Sequence, residues 1–269
     1  MNISIKHPTT VNEFKFNSSK FDIFHSTCFS DNVDYTFSRS VSNLSWTTSS
    51  VKVNNLTIGL GEDPRGFDLM GIPACFSIRF NEIERFVPQL YIKGDIGWDC
   101  LRMKMGENLS VGKNWSPFVY NDEVYFVHEF SPFRVLKLEG DTVNTMFVAE
   151  LESEIMPIDN YSILRGGSNG LQISETTVVG FGHTNKASNV NDINTIIHRP
   201  FMWSVNMQTQ KVDIIDINFS WDNEYNIIDP TALILMNDDL VLQTCETQYV
   251  WNNSNQNGRT RLYNITGII

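Results

Sequence analysis

No apolar run in this sequence approaches the ~20 residues of a membrane-spanning helix, and the amino terminus, MNISIKHPTTVNEF, has no apolar core of the signal-peptide kind. The chain therefore reads as soluble and cytoplasmic, with no membrane span. Basic charge is also scarce. Lys and Arg number 20 against 31 Asp and Glu, a net charge of −11. This excludes a nucleic-acid backbone or an anionic membrane surface as partner, because both require a basic face. Cysteine is limited to Cys28, Cys75, Cys100 and Cys245, far apart and without a C-x-x-C pair. A cysteine-rich zinc site is thereby disfavoured; two disulfides are open in principle, and free buried thiols are the simpler expectation. P-loop, G-x-G-x-x-G, H-E-x-x-H and D-x-D motifs are all missing. The nearest acidic pairs, Asp213 with Asp216 and Asp222 with Glu224, do not make D-x-D. The expectation is a mechanism with no cofactor and no metal.

Helical periodicity is scarce as well, and what replaces it sets the fold class. Apolar residues come in runs of roughly four to eight, rich in Val, Ile, Phe, Tyr and Thr and bounded by Asn, Asp, Gly and Ser. That pattern predicts an all-β chain. Strands are expected over 33–41, 85–92, 124–129, 134–138, 144–150, 177–182, 201–206, 211–217, 231–235, 240–243 and 261–265. Residues 184–195 and 252–259, polar and Asn-rich, read as loops.

A unit recurs along the chain. Pro64 in EDPR, Pro117 in NWSP, Ser168 in RGGS and Thr231 in DPTA lie 53, 51 and 63 residues apart in turn. Each is followed by a short segment, a turn (Met70-Gly71, Asn121-Asp122, Ser174-Glu175, Asn237-Asp238) and a strand-like run. A period of about 50 residues carrying four strands marks a β-propeller blade. The whole chain, 1–269, then accommodates five blades in a single domain. The fifth is expected to be built partly from residues 21–41 and closed by a strand from the other terminus. A β-sandwich or jelly roll is the competing architecture. In a propeller the four polar heads would meet around one central channel.

Taken together and in this order, EDPR, KNWSPF with EVYFVHEFSPFRVLK, LRGGS with VVGFGHT, and DPTALILMNDDLVL resemble the five-bladed β-propeller carbohydrate-active enzymes, with the β-mannoside phosphorylases and related mannosyltransferases as the nearest pattern. The resemblance covers about residues 59–246. It implies transfer of a glycosyl unit to or from a sugar phosphate or nucleotide sugar, with a glycan as acceptor, and it places the general acid on Asp63.

The residues support this independently. Glycosyl transfer needs a carboxylic acid at the glycosidic oxygen; Asp63 beside Glu62 at a strand head suits that role, and a turn cap before Pro64 is its competing reading. Asp229, heading the fourth unit, is the second catalytic candidate, as base or as a holder of substrate. Glu62 and Arg65 are supports, Arg65 equally a salt-bridge partner between blades. Lys113 and Asn114 suit hydroxyls or phosphate, and Trp115 suits either a sugar face or the core. Lys113, Arg134, Arg165 and His183 would line an anion pocket for phosphate or a diphosphate, although Arg134 has Glu129 nearby and His183 equally suits an inner strand. His128 ends the strand before Glu129; Gly166-Gly167 fits a close backbone approach. Glu246 is a further acid with reach toward the channel, while Asp68 and Asp99 have no argument for them. Two other functions stay open, a glycoside hydrolase with two carboxylates across the channel and a non-catalytic glycan-binding propeller.

Overall fold

The computed structural model describes residues 4–6, 8–15, 20–42, 49–81, 85–151, 163–190, 193–217, 219–236, 239–248 and 257–267. Among them there are strands and no helix, and hence no helix long and apolar enough to cross a membrane. Two strands, β1 (Ser4–Ile5) and β2 (Thr9–Lys15), come first and are held for the end of the ring. Blade 1 is β3 (Lys20–Ser30), β4 (Val33–Ser42), β5 (Ser50–Val53) and β6 (Leu56–Leu60). Blade 2 is β7 (Glu62–Leu69), β8 (Ile72–Asn81), β9 (Arg85–Lys93) and β10 (Trp98–Arg102). In blade 3, β11 (Lys104–Met105) lies parallel outside β15 (Thr142–Ala149), beyond β12 (Ser116–Tyr120), β13 (Glu123–Phe130) and β14 (Phe133–Glu139). Blade 4 has a broken inner strand, β16 (Ile163–Arg165) and β17 (Leu171–Gln172), both on β18 (Thr177–Val190), then β19 (Ile193–Asn206) and β20 (Val212–Asp216). Blade 5 is β21 (Ile227–Met236), β22 (Asp239–Thr247) and β23 (Asn257–Thr266), completed by β1 and β2 pairing with β23.

The five-bladed propeller is as expected, but the ring closes elsewhere. Residues 21–41 belong to a blade made wholly of one chain segment, and the blade that joins the termini is the one after residue 227. The two N-terminal strands have no neighbours of their own in sequence, so only the open edge of β23 can satisfy their backbone groups.

Hairpin chemistry sets the blade edges. Asp31-Asn32, Asn54-Asn55, Met70-Gly71 and Asn121-Asp122 each have positive φ at both positions, the two-residue turn whose twist matches flanking antiparallel strands. Asn237-Asp238 lies outside the described residues. Residues 184–190 and 193–195, expected as loop, are instead paired strand: the β18–β19 ladder runs on from Thr184↔Arg199 to Val190↔Ile193. Backbone hydrogen bonds hold this arm, which needs no apolar face, and Asn226 clamps it with Nδ2 donating to Thr195 Oγ1 and Ile196 O, both at 2.8 Å. Residues 252–256 lie outside the described residues, and 257–259 begin β23.

Apolar layers fill each gap between blades. Phe76, Trp115 and Phe126 lock blade 2 to blade 3; Phe118, Phe133 and Trp203 lock blade 3 to blade 4. Gly180 is required there, because a Cβ would stand 2.3 Å from the Trp203 ring. All four cysteines are free thiols; Cys28, Cys75 and Cys245 are buried and Cys100 is exposed. Burial pushes the Cys28 thiol up to about 12, and only thiolates alkylate readily. Iodoacetamide mass mapping of native protein is therefore expected to find Cys100 alone modified, with all four modified after denaturation.

Candidate active site

The inner strands of all five blades run the same way, so their first residues share one mouth. A β-bulge recurs there. In blade 2 the β7–β8 register shifts between Glu62 and Arg65, and in blade 1 the β3–β4 register shifts between Ile23 and Ser26. Asp63 (φ 50°) and Phe24 (φ 61°) occupy the same place in these two bulges, both in the left-handed region. A bulge re-aims the side chain it carries, and in blade 2 that side chain is a carboxylate.

Hydrogen bonds tie the heads together around the ring. Arg39, on β4, places Nη2 3.2 Å from Glu62 Oε1 and Nη1 3.4 Å from Asp63 Oδ1. Lys113 donates to Glu62 Oε2 at 2.8 Å. Glu62 is thus fixed between two cations from neighbouring blades, while the Asp63 side chain is the more open, 23% exposed against 10%. Gly167 N–H donates to Ser116 Oγ at 3.1 Å. A Cβ on Gly166 would lie 1.8 Å from the Asn114 carbonyl oxygen, so only glycine lets the heads of blades 3 and 4 meet.

Arg65 spans the centre. It is fully buried, donates through Nη1 to Pro230 O at 2.6 Å and packs over the Phe24 ring at 4.2 Å. Its Nε and Nη2 meet no hydrogen-bond partner among the described residues. Burial pulls the guanidinium down to about 10, opposed by Asp63 and Asp229. Its contact between blades is thus a hydrogen bond to a backbone carbonyl and not the salt bridge expected.

Asp229 enters from blade 5. His198 Nδ1 donates to its Oδ1 at 2.7 Å, and His183 Nδ1 stands 3.6 Å from the same oxygen. The two imidazoles stack, centroids 4.5 Å apart. Burial works to raise the Asp229 pKa, but His198, His183 and Arg65 outweigh it and hold the carboxyl well below the usual carboxylate range. Burial pushes His183 down to about 3, so it is neutral at physiological pH. Neither His198 nor Arg39 is apparent from the sequence, because each sits outside an inner-strand head.

The remaining expectations divide. Lys113 and Arg165 line a cleft of about 540 Å³ between blades 3 and 4, with His128, Glu129 and Gly166. Arg134 does not join them; its Nε donates to Glu129 Oε2 at 3.0 Å and its Nη1 to Thr145 Oγ1, both within blade 3. His183 lies on the Asp229 side and not in this cleft. Asn114 contributes a backbone turn, φ 63°. Trp115 is wholly buried and stacked on Phe76 at 5.2 Å, so it offers no face to a sugar. Its chain neighbours are polar, but the ring has to fill the gap between blades. Glu246 is also wholly buried, on the second strand of blade 5, and is bound by Arg259, Thr244 and Tyr263. Asp68 caps the Met70-Gly71 turn through Gly71 N–H, and Asp99 lies on the outer strand β10.

His128 is buried and His25 half-buried, and burial is the main cause that lowers both pKa values. A histidine with a depressed folded-state pKa contributes stability fully above its unfolded value of about 6.5 and loses it as pH falls. Unfolding free energy from urea titration is expected to drop from pH 7 to pH 5, by up to about 1.4 kcal/mol per pH unit for each such proton. His128→Gln is expected to flatten that slope.

No protein-family model matches the sequence, and no curated protein is significantly similar to it. Solved structures are similar in fold. A thermostable family-43 glycoside hydrolase superposes with a TM-score of 0.53 at 11% identity, covering 91% of this chain and 89% of the other. The GH43_1 enzyme from Xanthomonas citri complexed with xylose gives a TM-score of 0.53 at 9% identity, covering 93% and 89%. These likenesses are to five-bladed propellers and show the architecture.

Proposed function

We propose that the chain is a carbohydrate-active enzyme that cleaves a glycosidic bond at the mouth of the propeller, by hydrolysis. Asp63 meets the glycosidic oxygen and Asp229 is the fixed second carboxylate. One observation carries this reading. Asp63 is a carboxylate in left-handed backbone at a bulge, more open than Glu62 beside it, with Arg39, Glu62 and Lys113 already holding one another in place. Strained backbone at a site held by its surroundings is where catalytic groups concentrate. Two carboxylates around one channel suit glycoside hydrolysis, and the glycoside-hydrolase activity of the structural neighbours supports the same choice.

A second reading is transfer to or from phosphate, as in the β-mannoside phosphorylases and mannosyltransferases. It is favoured by Lys113 and Arg165 on one cleft beside the mouth, with phosphate or a nucleotide sugar as the donor-side partner and a glycan as the other. The test is a panel of aryl glycosides and β-mannosides with and without phosphate, plus mannose 1-phosphate and GDP-mannose, with Asp63→Asn as control. Phosphate-independent cleavage lost in Asp63→Asn supports hydrolysis. Turnover that needs phosphate or a nucleotide sugar supports transfer. Glycan binding without turnover, unchanged in Asp63→Asn, overturns both in favour of a binding module.

A further inference from the structure

We propose that His183, His198 and Asp229 form a binding site for a zinc-class divalent cation, with two imidazole nitrogens and one carboxylate oxygen as ligands. The donor atoms lie within 4.8 Å of one another, contributed by the second and third strands of blade 4 and the inner strand of blade 5. Imidazole with carboxylate suits zinc and its neighbours over calcium, which takes oxygen ligands.

The distances are close to what coordination requires. Ligands about 2.0–2.1 Å from a tetrahedral ion stand about 3.3 Å from one another. His183 Nδ1 and Asp229 Oδ1 are 3.6 Å apart. His198 Nδ1 and Asp229 Oδ1 are 2.7 Å apart, held by a hydrogen bond, and open by a side-chain rotation when the ion replaces that proton. The proton has a place to go, since coordination at Nδ1 leaves the neutral imidazole protonated at Nε2. A second observation points to a ligand. His183, 2% exposed, has a buried Nδ1 with no hydrogen-bond partner among the described residues, and it faces the carboxylate. Such orphaned buried nitrogens are rare and costly.

The Asp229 and His198 side chains keep 15% and 13% exposure, which leaves an approach for the ion and a place for water as fourth ligand.

The test uses the full chain, dialysed against chelator, and reads binding in the absence of any sugar; it stands or falls separately from the glycosidase reading. Titration calorimetry with Zn2+ is expected to give one equivalent per chain. Co2+ is expected to give the visible absorption of a tetrahedral site. His198→Gln and Asp229→Asn are expected each to weaken Zn2+ binding by tenfold or more, while Cys100→Ser leaves it unchanged. Thermal unfolding confirms that each variant is folded, and the wild-type Co2+ spectrum decides the matter if one is not. Absence of saturable Zn2+ or Co2+ uptake overturns the proposal. So does uptake that survives both ligand substitutions, or uptake that is lost in Cys100→Ser.

Discussion

Asp63→Asn is expected to lower turnover on the best substrate of the panel by about 10²–10⁴-fold, the usual contribution of a positioned acid–base group, with little change in melting temperature. The structural side of the expectation follows from the backbone. Asp63 sits at φ 50°, and asparagine tolerates the left-handed region at least as well as aspartate. Arg39 loses a contact of 3.4 Å but keeps Glu62 at 3.2 Å, so no cation is stranded. The substitution removes a proton-carrying group and almost nothing else. Asp63→Ala is the contrasting variant, since it removes the same group and adds the cost of a β-carbon in the left-handed region, of order 1 kcal/mol. Steady-state kinetics with circular-dichroism melting separates the two. Activity within a few-fold of wild type in Asp63→Asn would remove Asp63 from the reaction. A large drop in melting temperature would mean that the bulge, and not the chemistry, depends on the carboxylate.

The sequence carries the propeller because the features that define a blade are local. Two-residue turns, short β-branched runs and a period near 50 residues are all visible in one dimension. The heads EDPR, KNWS, RGGS and IIDP could be aligned because three of them lead into an inner strand and RGGS lies at the break in another. The first blade escaped that alignment, since Phe24 fills the bulge position that Asp63 fills in blade 2. Arg39 escaped for another reason. It lies on a second strand, in the stretch SRSVS, and acquires meaning only when blade 1 closes against blade 2 and its guanidinium lands between Glu62 and Asp63. His198 is hidden in the same way, on the third strand of blade 4, between the stretch 184–195 that reads as loop and the strand expected over 201–206. Trp115 was open to a sugar face or to the core, and the width of the gap between two blades decides where so large a ring must go.

Glu246→Gln is expected to destabilise the fold by about 3 kcal/mol, at the lower end of what removing one partner of a buried ion pair costs. Glu246 has no exposed surface. Its Oε2 accepts from Arg259 Nε at 2.8 Å, and its Oε1 accepts from Thr244 Oγ1 at 3.1 Å and from the Tyr263 hydroxyl. Glutamine keeps the shape but turns one acceptor into a donor and leaves Arg259 with a single anionic partner, Asp222 at 2.6 Å. That remaining partner is why the expected loss sits at the lower end. For a chain of this size about 3 kcal/mol corresponds to a fall in melting temperature of about 6–12 °C. Turnover per folded molecule should be unchanged below the transition, because Glu246 is on the second strand of blade 5 and sealed behind its cations. Urea unfolding and kinetics on the same preparation test both halves. An unchanged unfolding midpoint with lost turnover would return Glu246 to the mouth as a catalytic carboxylate, and the pairing of Asp63 with Asp229 would then have to be abandoned.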